Sequence, residues 1–199
     1  MISKEDILQA KKACKKFQIK KSNEGIFYDL CFSLCSPGAK FNTNKKVNYL
    51  LREKRLHEIS RYYSIDEISE FLKSIRYGKR KAEYIFNAIL MFDNGFGSIL
   101  SMINSNVDAI IKREYLIKNV KGLGYKTASQ FLRNSIGCED LSLLDVHVQR
   151  YLDRRVTNSN YIEIEREFRN NAIGLGLTVV ELDAIIFSKG AKIDVMDIR

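Results

Sequence analysis

A single proline and eleven glycines in 199 residues leave little material for a turn-rich β-fold. Long apolar runs are missing too, so no segment reads as a membrane-spanning helix. The N-terminus MISKEDILQAKKACKK is charged where a secretory leader would have an apolar centre, which points to a cytoplasmic protein. In that compartment Cys14, Cys31, Cys35 and Cys138 are expected as thiols. Cys31 and Cys35, four apart in FYDLCFSLC, suggest one buried helical face. The two histidines lie far off in sequence, so a Cys/His metal site lacks ligands.

What is present is ordinary globular composition, 45% hydrophobic and 29% charged, with an unusual sign balance. Thirty-three Lys and Arg face twenty-four Asp and Glu, a formal net charge of +9. Such an excess favours a polyanionic partner, nucleic acid before an anionic membrane surface. It could also serve solubility alone.

Apolar residues recur at three- and four-residue spacing. Ser3 with Asp6 forms a capping-box pattern opening a helix to about Phe17. Phe27, Leu30, Cys31 and Leu34 stripe a second helix, which Pro37-Gly38 should end. Ser64 with Glu67 opens another, with Ile68, Phe71, Leu72 and Ile75 facing inward. Ala82, Ile85, Phe86 and Ile89 repeat the pattern up to a stop at Asn94-Gly95. Further helices are expected at about 107–120, 125–135, 145–154, 160–173 and 178–189. The fold class is all-α, with no strand pair and no internal repeat.

One segment, IKNVKGLGYKTASQFLRNSIGCEDLSLLDVHVQRYL over 117–152, carries chemistry. Gly122 and Gly124 let the chain turn sharply between helices and leave backbone amides uncovered where a helix dipole also favours an anion. A DNA phosphate could dock there beside Lys121, although many helical hairpins use glycine only to turn. Lys126 falls in the first turn of the next helix, at an already positive helix end. Such surroundings favour the neutral amine that a lysine nucleophile needs, whereas a solvated surface lysine would need no role. Asp145 follows 19 residues later in Leu-Leu-Asp-Val-His. It can cap the helix from Val146, and near Lys126 it could also help deprotonate the amine and stabilise cationic charge on a sugar.

The run KGLGYKTASQFLRN followed by LLDVHV resembles the helix-hairpin-helix DNA glycosylases, and within them the type 2 8-oxoguanine DNA glycosylase/AP lyases. Weaker similarity extends to FYDLCF at 27–32, KRKAEYI at 79–85, and Glu181, Asp183, Phe187, Lys189 and Gly190. The resemblance implies two packed helical subdomains, 1–25 with 135–199 and 26–134, with the active site in the cleft between them and the hairpin at about 112–135. It implies a base-excision repair enzyme in which Lys126 attacks C1′, forms a Schiff base and nicks the strand by β-elimination. Asp145 would assist, His147 would contact a phosphate, and Phe187 would stack on the flipped base. Tyr77 is a candidate for the other face of that base and Asp183 for its edge. The implied partner is duplex DNA containing 8-oxoguanine, bound by a monomer.

Three departures from the family pattern stand out. The place of its gap-filling polar residue reads Ser36-Pro37-Gly38-Ala39-Lys40, so Lys40, Asn42 or Asn44 would have to take over. The tail ending Asp197-Ile198-Arg199 is atypical. No cysteine follows Cys138, which excludes the four-cysteine iron–sulfur cluster of related branches. The chemistry implies no redox cofactor or catalytic metal, though hairpin carbonyls hold a structural monovalent cation in some relatives. Two rival readings remain: a non-enzymatic helix-hairpin-helix DNA-binding module, and a glycosylase for oxidised pyrimidines.

Overall fold

The computed structural model describes residues 2–15, 21–59, 62–93, 98–192 and 194, and among these it contains helices and no strand. The chain divides into two units, Lys21–Ser135 and Met1–Lys20 with Ile136–Arg199.

The continuous unit holds α2 (Asn23–Cys35), α3 (Phe41–Glu53), α4 (Leu56–Ile59), α5 (Ile65–Phe71), α6 (Gly78–Phe92), α7 (Ile99–Asn104), α8 (Ala109–Asn119) and most of α9 (Tyr125–Ile136). Its core is the expected α2 stripe of Phe27, Leu30, Cys31 and Leu34, joined by Ile68, Leu72, Ala82 and Ile85. Burial pushes the Cys35 thiol up to about 12, with the Lys81 ammonium opposing, and raises Cys31 well above the ordinary thiol value. Both are core thiols, held inert at neutral pH.

Ser64 and Glu67 form the expected capping box at α5. That helix stops at Phe71, earlier than the apolar spacing suggests. Ile75 is still buried, but it is reached through a turn in which its amide donates to Leu72 O. The reversal is tight enough that a Cβ on Gly78 would stand 2.8 Å from the Leu72 carbonyl oxygen. The expected α6 stop at Asn94-Gly95 lies outside the described residues, as do Phe17 and the tail from Val195.

Asp29, mostly buried on α2, places Oδ2 2.6 Å from Lys21 Nζ and accepts from Ser135 Oγ at 3.4 Å. Lys21 and Ser135 are the first and last residues of this unit, so one carboxylate holds both of its ends. Burial raises the Asp29 pKa, and the Lys21 ammonium is the largest influence opposing it.

The discontinuous unit contains α1 (Lys4–Cys14), α10 (Val146–Leu152), α11 (Tyr161–Gly174) and α12 (Val179–Ala191). Capping boxes open α1 at Ser3–Asp6 and α12 at Thr178–Glu181. Apolar α12 is the centre, with α1, α10 and α11 packed on it. Lys189 of α12 reaches Asp6 of α1 at 2.8 Å. No single described helix is long and apolar enough to cross a membrane.

Candidate active site

The hairpin lies between α8 and α9, and its two glycines do different work. Gly122 has φ +98°, and a Cβ there would stand 2.7 Å from Tyr84 Cγ and 2.8 Å from Cε2. Only glycine satisfies both the backbone and the ring. Gly124 meets neither limit, since nothing lies within 4 Å of a Cβ placed on it. Its amide donates to Thr127 Oγ1 at 2.9 Å, and the same hydroxyl donates back to Gly124 O at 3.2 Å. The Leu123 amide donates to Val120 O. The amides of Leu123 and Gly124 are therefore engaged within the turn. Those of Gly122 and Lys126 take no acceptor among the described residues.

Lys126 is the second residue of α9 and is exposed. Its surroundings are stiff. Ala128 N donates to Gly124 O, Thr127 is buried beneath the turn, and the Arg113 guanidinium lies 5.2 Å from the Tyr125 ring centroid. Arg113 is fully buried and donates to Ser129 Oγ at 3.2 Å, tying α8 to α9. A flexible lysine stem is thus mounted on a fixed base. Lys121, exposed at the turn, adds positive charge beside it.

Asp145 is the N-cap of α10: Oδ1 accepts from the amides of His147 at 2.8 Å and Val148 at 3.0 Å. Both bonds use one oxygen, and Oδ2 has no partner among the described residues. Capping fixes the carboxylate in place and leaves one oxygen for other work. The segment between α9 and α10 that delivers it is held from behind. Asp183, 4% exposed, accepts from Leu143 N at 3.0 Å, and Ser142 N donates to Glu165 Oε1 at 3.0 Å. Asp183 is thus buried and bonded to backbone.

His147 and Phe187 meet edge to face, their ring centroids 5.4 Å apart. The imidazole packs on bare backbone, since a Cβ on Gly190 would stand 2.7 Å from His147 Cγ. Both rings are partly exposed. Tyr77 is 58% exposed at the N-cap of α6 in a left-handed conformation, with the Arg76 guanidinium 4.7 Å from its ring centroid. Tyr77 and Arg76 flank Gly38, at 3.9 and 3.8 Å from a Cβ placed there.

Of the three gap-filling candidates, Asn44 is ruled out. It is 1% exposed, and Nδ2 donates to Phe32 O at 2.9 Å and Ser36 Oγ at 3.0 Å. Lys40 and Asn42 are exposed. The loop they follow is pinned by Lys81, a buried lysine that donates to Cys35 O and Pro37 O, each at 2.7 Å; burial lowers its pKa. Sequence reading gave no individual role to Lys81, Tyr84, Thr127 or Gly190. Only the Arg80/Tyr84 spacing of four residues left a trace, as neighbours on one helix face.

A family model described as 8-oxoguanine DNA glycosylase matches residues 8–177. An 8-oxoguanine DNA glycosylase/AP lyase of Methanocaldococcus jannaschii is 32% identical over 178 residues, covering 84% of this chain and 81% of the relative. A Fusobacterium nucleatum protein of the same name is 27% identical, covering 86% and 82%. The crystal structure of the M. jannaschii enzyme with a 15mer DNA containing 8-oxoguanine superposes with a TM-score of 0.79 at 28% identity, over 93% of this chain and 90% of that one. The all-helical architecture is that of the helix-hairpin-helix glycosylases, and the chain belongs to the 8-oxoguanine DNA glycosylase family.

Proposed function

We propose that Lys126 is the nucleophile with which this chain, an 8-oxoguanine DNA glycosylase/AP lyase, removes the damaged base. The observation that carries the assignment is the mounting of Lys126: an exposed amine two residues past Gly124, after a hairpin whose turn is locked by Gly122 and Thr127.

Lys126 first gives up its proton, because only the neutral amine has a lone pair. Nζ then forms a bond to C1′ as the bond from C1′ to the base breaks, and the base leaves with that electron pair and takes up a proton. Ring opening gives a Schiff base. Loss of a C2′ proton expels the 3′ phosphate by β-elimination, and water releases the lysine. Asp145 supplies negative charge against the cationic sugar and an acceptor for the amine's proton. Phe187 and Tyr77 offer rings to an extruded base, which costs least to hold by stacking. His147, Lys121, Gly122 and Gly124 meet the backbone, Gly124 through the turn it shapes rather than its bonded amide.

The reaction needs no redox cofactor and no catalytic metal. The carbonyls of Gly122 and Leu123 accept no hydrogen bond among the described residues, so they fit a structural monovalent cation at the turn. The partner is duplex DNA carrying 8-oxoguanine, engaged by a monomer in the cytoplasm, at the nucleoid if the source is prokaryotic.

Borohydride trapping tests this reading. Duplexes with 8-oxoguanine, thymine glycol or an abasic site are incubated with protein and then reduced. A covalent adduct on 8-oxoguanine that vanishes in Lys126→Gln is the expected result. No adduct on any lesion would leave a DNA-binding module, and an adduct only on thymine glycol would reassign the lesion.

A further inference from the structure

Tyr84 does more than fill space under the hairpin. While its ring lies against Gly122, its hydroxyl accepts from Arg80 Nε at 2.5 Å. Arg80 sits one turn earlier on α6, with its guanidinium 5.7 Å from the same ring. It is exposed, and no ion pair among the described residues includes it. An exposed arginine ordinarily samples many rotamers, and ordering it costs free energy at the moment of binding. Here one N–H is already held, the guanidinium plane is set, and the Nη donors remain for a ligand.

We propose that Arg80 is a phosphate ligand that extends the hairpin's grip on the DNA backbone, held in place by Tyr84. A planar fork with free Nη donors suits a phosphodiester, which it can engage through two parallel hydrogen bonds. The ring in contact with Gly122 fixes the distance between this fork and the hairpin amide, so both address the same strand. Lys79, next to Arg80 in the chain, and Lys121, next to Gly122, are both exposed, and positive charge repeated along one element after another favours a continuous polyanion over a single carboxylate. The ligand class is a sugar–phosphate backbone, read without regard to sequence. The inference rests on the reading of this chain as a DNA-processing enzyme.

The test is binding of an undamaged duplex by fluorescence anisotropy over a salt series. One lost phosphate contact lowers the slope of log K against log salt by about 0.9. Arg80→Gln is expected to show that fall and to bind several-fold more weakly at low salt. Arg80→Lys should keep the slope and lose part of the affinity. Tyr84→Phe preserves the packing on Gly122 and frees the arginine, so it should keep the slope and weaken binding less than Arg80→Gln. An unchanged slope in Arg80→Gln overturns the proposal. So does an equal fall in Lys12→Gln, an exposed charge on α1, since net charge alone would then account for it. Trapping of wild type on 8-oxoguanine is run alongside: if it fails while the Arg80 slope effect persists, the enzymatic reading falls and the phosphate site stands.

Discussion

The imidazole of His147 packs directly on the backbone of Gly190, with no room between them for a methyl group. The contact sets the position of His147, and through it the edge-to-face pairing with Phe187. Gly190→Ala should displace both rings. Overpacking of this kind costs about 1–3 kcal/mol, so a lower Tm is expected. The KM for 8-oxoguanine duplex should rise while the single-turnover rate at saturating DNA changes less. Stopped kinetics on the variant beside a thermal melt would separate the two effects.

Asp145 serves as a helix cap and as a proposed catalytic carboxylate, and two substitutions separate these roles. Asparagine caps about as well as aspartate, while alanine costs about 1 kcal/mol. Asp145→Asn should therefore melt near wild type, and Asp145→Ala a few degrees lower. Both should lose turnover by about 10²-fold or more, the usual scale of acid–base assistance. Recovery of activity in the asparagine variant would leave Asp145 as a cap only.

The two hairpin glycines should respond oppositely. Gly122→Ala forces a Cβ into Tyr84 and a strained φ of +98°, so hairpin geometry and DNA binding should both fail. Gly124→Ala meets open space and should fold normally, with at most a modest loss of affinity. Melting curves and anisotropy on the same two variants check the contrast.

Lys189 holds the Asp6 carboxyl down at about 2, helped by the Ser3 amide. A carboxylate depressed in the folded state stabilises it above its unfolded value of 3.8, and that contribution is lost as pH falls toward 2. With Asp6 near the surface, screening reduces the effect to about 1 kcal/mol. Asp6→Asn should therefore be less stable than wild type at pH 6, with the two converging near pH 2. Urea midpoints across that range give the measurement.

Much of this was legible from spacing. Ser3 with Asp6 and Ser64 with Glu67 announced two helix starts, because capping boxes are local and need no tertiary partner. The helices α3, α4 and α7 were not legible. In α3 the buried stripe is Asn44, Val47 and Leu51, and a buried asparagine reads as surface until Phe32 O and Ser36 Oγ are seen to receive it. Asp183 is a second buried polar residue whose partner the spacing did not show: a polar residue on an apolar helix can serve a ligand or the fold, and here it accepts from Leu143 N. The hairpin glycines were visible as a pair, yet Tyr84, which makes one of them obligatory, lies 38 residues away in the chain. Long-range packing of that kind leaves no periodic signal.

The pairing of α1 with α12 also constrains how the chain is made. α1 is synthesised before the unit Lys21–Ser135 and its partner α12 after it, while that unit is complete in between and has both ends held at Asp29. The inner unit can fold during translation. Until translation reaches α12, α1 lacks the apolar surface it packs on, and the Lys4–Cys14 helix, at eleven residues, is too short to be stable alone. Nascent chains stalled before Val179 should therefore expose Ala10, Ala13 and Cys14 to proteases and chaperones.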